Sequence, residues 1–307
     1  MRATREGYVQ GLLRAAEISD RVVVIDGDVS RSTGTTAFRE RFPQRFFNLG
    51  IAEQNMAEHS AGLALAGFIP FYSTYAVFAV GRAYDQIRTS ICNMNLQVRI
   101  GGAHGGTSVG PDGATHQALE DIAAMRALPN MTVLVPADAN QTAQAVLSSL
   151  EIDGPVYIRY GRNPVPQIYT EEKRVIPGKG HLLRDGKHAS IVAVGAMVEK
   201  ALRASEILSK DGIQVSVADM VSVKPLDKKL LDHLTANGAP FVTAEDHQVT
   251  GGLFGAISEY CSQNRPVRIY PVAVNDRFGC SGTPEQVMEC CGLTTEIILK
   301  EVRKALK

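Results

Sequence analysis

The 307-residue chain lacks an excess of charge of either sign: 32 lysines and arginines face 32 aspartates and glutamates, with no basic run. A nucleic-acid or membrane surface needs a local surplus of positive charge, so neither partner is expected. It also lacks a long apolar segment. No uninterrupted run approaches the roughly 20 residues of a bilayer-spanning helix, and the first residues, MRATREGYVQ, offer no apolar core for a signal peptide. Five cysteines, an odd number that includes adjacent Cys290 and Cys291, sit at no metal-ligand spacing and form no secreted-type framework. A reducing, cytoplasmic setting is the expectation. No HExxH and no phosphate-loop GxxxxGKS/T occurs, and a serine-hydrolase elbow is not expected to carry the chemistry.

What is present is alternation. A chain of this length exceeds one comfortable core, so two domains are the first guess. Strand-like and helix-like segments follow one another, the signature of parallel sheets covered on both faces. The expected fold is α/β, with two doubly wound three-layer α/β/α domains and mainly parallel sheets. In the first half, helices are predicted over 4–18, 51–66, 117–128 and 137–150, and strands over 22–25, 69–72, 96–100, 131–135 and 156–160. Residues 29–50 read as a loop able to hold an anion. Val77, Val80, Tyr84, Ile87, Ile91 and Met94 recur at spacings of three and four as one helical stripe, whose ordinary meaning is core packing. A proline-rich stretch with a charged EEKR divides the chain into domains over 1–165 and 181–307, with a linker over 166–180. The second half predicts strands over 190–194, 213–218, 241–244 and 267–272, interleaved with helices.

The chemistry concentrates around residues 101–121, GGAHGGTSVGPDGATHQALED, with six glycines, two histidines and three carboxylates. Such a stretch reads as a functional loop: its glycines let backbone come close to a ligand and its imidazoles exchange protons near neutral pH. The turn Asp26-Gly27-Asp28 looks like an acidic, magnesium-binding turn but offers too few oxygen ligands, and no metal site is assigned. The candidates are Glu53 at a helix start, the aromatic pair Tyr75 and Phe78, His104 and His116, Asp112, and the anion-gripping set Arg5, Ser32 and Arg162. Arg159 competes with Arg162, and Arg31 flanks Ser32. On physics alone this set supports proton transfers on a polar, anionic small substrate without naming one. Each candidate has a plain alternative: an acid at a helix dipole, core aromatics, structural histidines, solvated arginines. Glu245, Asp246 and His247 are adjacent residues pointing in different directions, and read as interface or turn groups.

Four motifs go further. NLGIAEQNM (48–56), FYSTYAVF (71–78), AHGGTSVGPDGATHQALED (103–121) and LPNMTVLVPAD (128–138) together resemble the pyrimidine-binding domain of transketolase, and the remainder resembles that family's C-terminal domain. The resemblance implies a subunit of a split transketolase, transferring a two-carbon ketol unit from an anionic ketose to an aldose with thiamine diphosphate as cofactor. It implies a separate N-terminal subunit that carries the diphosphate and Mg²⁺, in an α2β2 heterotetramer. Glu53 then matches the glutamate that hydrogen-bonds the cofactor's pyrimidine N1′. Tyr75 and Phe78 match rings beside the aminopyrimidine, and Asp28 is counted with the cofactor-binding positions. His104 and His116 match histidines of the substrate channel, with catalytic as well as binding roles. Asp112 matches an acid selecting hydroxyl stereochemistry, and Arg5, Ser32 and Arg162 match a phosphate grip. Three alternatives stay open. They are the beta subunit of a 2-oxo acid dehydrogenase, half of a deoxyxylulose-phosphate synthase, and a scaffold subunit without catalysis. The Gly-x-Asp-Gly-x-Thr-His-Gln pattern over 110–117 favours the transketolase and synthase branch.

Overall fold

The computed structural model describes residues 1–170 and 173–307. Its frame is a pair of sheets whose central strands are apolar runs buried at every residue, such as Val22–Asp26 and Ala189–Ala193. Strands covered by helices on both faces need that composition. The first half runs β1 (Arg2–Ala3), α1 (Thr4–Ile18), β2 (Val22–Asp26), α2 (Ser30–Thr33), α3 (Thr36–Arg41), β3 (Phe46–Asn48), α4 (Glu53–Leu65) and β4 (Ile69–Tyr75). It continues through α5 (Ala76–Gly81), α6 (Tyr84–Gln86), β5 (Arg99–Ala103), α7 (Asp121–Ala127), β6 (Thr132–Leu134), α8 (Ala139–Ser149), β7 (Val156–Arg159) and β8 (Pro164–Val165). The second half contains β9 (His181–Arg184), β10 (Ala189–Ala193), α9 (Met197–Lys210), β11 (Val215–Asp219), β12 (Ser222–Lys224) and α10 (Lys228–Thr235). It ends with β13 (Phe241–Gln248), α11 (Leu253–Asn264), β14 (Ile269–Val274), α12 (Pro284–Cys290) and α13 (Thr295–Ala305).

The strands order as β12-β6-β7-β5-β4-β2-β3 in one sheet and β14-β13-β10-β11-β9 in the other. Neighbours are parallel except at the edges, where β12 on β6 and β9 on β11 are antiparallel. The expected two-domain, mainly parallel α/β architecture is therefore the one observed.

Several expectations are corrected. Residues 29–50 are not one loop: they hold α2, α3 and edge strand β3. Their small polar residues satisfy the backbone locally, with Asp26 accepting from Val29 N and from the Thr33 and Thr35 hydroxyls. The stripe over 77–94 is not one helix. α5 stops at Gly81, and Ile87–Cys92 is a π-helical turn, whose wider spacing breaks the alignment of a three-and-four repeat. Val80, Ile87 and Ile91 are buried, whereas Met94 is exposed. The strand expected over 96–100 lies at Arg99–Ala103, so the first glycines of the expected loop are strand residues. A Cβ on Gly101 would fall 2.2 Å from the Tyr8 hydroxyl, and one on Gly102 2.3 Å from that of Tyr157. The helix expected from Gln117 begins at Asp121.

The two halves are welded. β12 comes from the second half yet extends the first sheet, and Lys224 Nζ donates to Arg126 O at 2.9 Å. One apolar cluster runs from Ile100, Met125 and Val133 to Val192, Phe241 and Leu253. The connecting stretch is strapped down as well. Ile168 N and Tyr169 N donate to Asp138, and the Tyr169 hydroxyl donates to Asp219 at 2.6 Å. Two residues of the EEKR run, 171 and 172, lie outside the described residues.

Candidate active site

Parallel sheets leave crevices beyond the carboxyl ends of their strands, where ligands bind. Five candidates lie there. Tyr75 ends β4 and Phe78 follows on α5; His104 follows β5; Glu53 opens α4; His116 closes the glycine-rich loop. The rings of Tyr75 and Phe78 are parallel within 7° at 5.8 Å. His104 sits edge-on to Tyr75 at 4.4 Å, and His116 edge-on to Phe78 at 5.2 Å and to Tyr75 at 6.2 Å. The sequence pattern thus converges on one cluster.

Glu53 is 4 % exposed and its carboxylate accepts from Arg82 Nη1 at 3.1 and 3.2 Å. The same guanidinium lies 4.0 Å over the Phe78 ring. Arg82 escaped sequence reading because a helical arginine ordinarily reads as a solvated face. Only folding brings the residue capping α5 to the start of α4.

His104 is buried, in the left-handed backbone region at φ 55°, and neither ring nitrogen has a hydrogen-bond partner. Burial lowers its pKa to about 3, helped by the nearby positive charges of Arg162 and Arg5. It is therefore a neutral imidazole with two orphaned polar atoms, a combination that calls for a ligand. Arg5 and Arg162 are neighbours in space, since Arg5 N donates to Gly161 O at 3.2 Å. Arg162 pairs with Asp112 at 3.7 Å, and Arg5 Nη1 donates to the backbone oxygen of Ser32 at 3.0 Å. Ser32 is thus beside Arg5 through its main chain. His116 is half-buried, with Nδ1 2.9 Å from the Thr115 hydroxyl. Asp28 stands apart from the ring cluster, exposed at φ 65° and accepting from Asn48 Nδ2 at 2.9 Å.

Arg159 is withdrawn from the anion-gripping set. It is buried, its Nε donates to Asp121 at 2.8 Å, and its Nη2 reaches the carbonyls of Ala118 and Asp246. The Asp246 carboxylate accepts from Thr107 N and Oγ1, three residues beyond His104. Glu245, Asp246 and His247 are the buried end of β13 and not a turn, and Glu245 accepts from Leu253 N and Phe254 N. Burial pushes the Glu245 carboxyl up to about 7 and the His247 imidazole down to about 4. His247 Nδ1–H donates to Gln248 O while Nε2 accepts from Ala123 N, which fixes the neutral tautomer. Asp246 and His247 bridge the halves, to the loop at Thr107 and to α7 at Ala123, while Glu245 caps the start of α11 within its own half. Among the described residues no three His, Cys, Asp or Glu side chains are grouped to hold a metal ion. The spacing of a hydrolase elbow is in fact present as Gly106-Thr107-Ser108-Val109-Gly110. Ser108 donates to Gly105 O at 2.9 Å on an irregular loop rather than standing at a strand-to-helix turn, so the spacing is not an elbow.

A two-domain α/β protein that gathers an acid, two rings and two imidazoles beyond its strand ends holds the groups of a small-molecule site. The comparisons make that description specific. Residues 1–167 match the transketolase pyrimidine-binding domain and residues 178–298 the transketolase C-terminal domain. The chain belongs to the transketolase family. A putative transketolase C-terminal section of Methanocaldococcus jannaschii is 40% identical over 99% of this chain and 96% of that protein. The 6-deoxy-6-sulfo-D-fructose transketolase subunit SqwH of Clostridium sp. (strain MSTE9) is 38% identical over 96% and 92%. A solved split gene transketolase, described as an inactive beta4 tetramer, superposes with TM-score 0.93 at 47% identity, covering 100% of this chain and 99% of that one.

Proposed function

We propose that the chain is a subunit of a thiamine diphosphate-dependent transketolase that moves a two-carbon ketol unit from an anionic ketose to an aldose. The observation that carries this is Glu53, buried at the head of a helix with the Tyr75–Phe78 pair close by and His104 and His116 edge-on to those rings. The residues fit the pyrimidine half of the cofactor. A buried carboxylate suits a ring nitrogen that shares its proton, flat aromatic faces suit a flat heterocycle, and His104 has two unused polar atoms. Thiamine diphosphate, when bound, supplies the carbon nucleophile and electron sink for breaking a carbon–carbon bond.

The chain's own residues do the rest. Glu53 holds or gives a proton at the pyrimidine nitrogen. His116, partly exposed beside Phe78, exchanges a proton with a substrate hydroxyl, and neutral His104 offers one donor and one acceptor to the sugar. Asp112 accepts from a hydroxyl, while Arg5 and Arg162, with Ser32, grip the terminal anion as charge-assisted forks. Asp28 lines the cofactor's approach. In this reading the pyrimidine-binding domain covers 1–165, a joining stretch 166–180 and the C-terminal domain 181–307. A partner N-terminal subunit holds Mg²⁺ and the diphosphate in an α2β2 assembly in the cytoplasm.

The test mixes the purified chain with its partner subunit, thiamine diphosphate, Mg²⁺ and a panel of phosphorylated and sulfonated ketoses with an aldose acceptor. Turnover is expected only in the pair and is expected to fall by roughly 100-fold or more with Glu53→Gln. Turnover by the chain alone, or an unimpaired Glu53→Gln pair, would overturn the proposal.

A further inference from the structure

The functional reading needs Glu53 to meet a ring nitrogen, yet here it is covered. Its carboxylate is 4 % exposed and both its oxygens accept from Arg82 Nη1, while the Arg82 guanidinium carbon lies 4.0 Å from the Phe78 ring centre. Arg82 itself is half exposed, at 50% of its side chain. A guanidinium is a planar, delocalised cation with N–H donors in its plane, able to stack on an aromatic face while donating to a carboxylate. A protonated aminopyrimidine has the same three properties. It is flat, it stacks, and it presents an N–H to an acid. Arg82 therefore makes, from within the chain, the two contacts that the functional reading gives to the cofactor's pyrimidine.

We propose that Arg82 is a place-holder for the aminopyrimidine: it occupies the Glu53–Phe78 position in the cofactor-free chain and is displaced outward when the pyrimidine enters. This inference rests on the transketolase reading of the same site. The physical reason for such a residue is the buried acid. A carboxylate at this depth without a partner bears its full desolvation cost, and an ion pair relieves that cost until the cofactor takes over. Partial exposure of Arg82 is what lets it leave, because its head can return to water and its stem needs no cavity. The consequence is a competition in which the apparent affinity for the cofactor is lowered by the fraction of chains in which Arg82 is in place.

The experiment measures binding of thiamine diphosphate with Mg²⁺ by calorimetry to the assembled two-subunit enzyme, wild type against Arg82→Met. Methionine keeps an apolar stem over Phe78 and removes the cation. A place-holder predicts tighter binding in the variant, on the order of tenfold. Weaker or unchanged binding overturns the proposal while leaving the functional reading intact. Absence of any binding by the wild-type assembly overturns both. A second measurement uses the chain by itself. Thermal midpoints of Glu53→Gln, Arg82→Met and the double variant are expected to be non-additive, the double losing less than the sum of the singles. Strict additivity means that the two side chains are not paired in the free chain and rejects the place-holder. If Arg82→Met fails to fold, Arg82→Gln takes its place in both measurements.

Discussion

His104 keeps its ring inside the fold as a neutral base, and that choice is measurable. Its folded pKa of about 3 lies below the ordinary histidine value of 6.5, burial being the main cause. Between those values the unfolded chain binds a proton that the folded chain refuses. Stability from this group is thus fully present above pH 6.5 and is lost as pH falls toward 3. Chemical denaturation of wild type and His104→Gln is expected to show the wild type gaining on the variant from pH 4 to 6.5, by up to about 1.4 kcal/mol per pH unit. Parallel curves across that window would refute the neutral, buried assignment. Arg162 is a different case. Its pair with Asp112 is half exposed at 3.7 Å, and such pairs contribute little to stability. Arg162→Ala is expected to raise KM for a phosphorylated ketose by roughly tenfold and to leave thermal stability within about 0.5 kcal/mol. Equal KM effects on charged and uncharged ketoses would remove Arg162 from the anion grip. The candidate residues were legible through the four motifs that resemble the transketolase pyrimidine-binding domain, whereas residue type and spacing by themselves left each with a plain structural alternative. Arg82 and the withdrawal of Arg159 were not readable, since both depend on which buried carboxylate each arginine meets.

At the scale of elements, α1 shows how a legible helix can have an illegible reason. Its bounds follow from the sequence, but the packing role of its two glycines does not. In the fold Gly7 and Gly11 let α1 lie against α8: a Cβ on Gly7 would sit 1.9 Å from Ala139 O, and one on Gly11 2.7 Å from Val146 Cβ. Gly7→Ala is expected to destabilise by about 1–3 kcal/mol or more in urea titration, despite a gain in helix propensity of up to about 1 kcal/mol. A stabilised variant would contradict the close crossing. The broken helix over 76–92 is the opposite case. Its apolar spacing promised one straight stripe; the break after Gly81 and the π-helical turn instead leave Arg82 over the Phe78 ring while Ile87 and Ile91 are buried in the core.

For the whole molecule, the C-terminal half braces the glycine-rich loop that carries the candidate histidines. Asp246 at the end of β13 accepts three hydrogen bonds from Thr107, and its carbonyl receives Arg159, which in turn holds Asp121. This buried network fixes the loop between His104 and His116 from the far side. Asp246→Asn turns an acceptor into a donor against the Thr107 N–H. It is expected to cost about 1–3 kcal/mol of stability and to speed amide exchange across residues 104–118. Unchanged exchange there would show that the loop is held by other means.

The sequence by itself determined the class of fold, because strands buried on both faces need unbroken apolar runs and the helices between them need periodic ones. It also nominated the candidate site residues, through motifs that resemble the transketolase pyrimidine-binding domain. Tertiary structure alone decided which groups are paired. It brought Arg82 to Glu53, buried Arg159 against Asp121, and sent β12 and Asp246 from one half of the chain into the other. Ion pairs and close helix crossings depend on distances between residues remote in sequence, and local pattern carries no record of those distances.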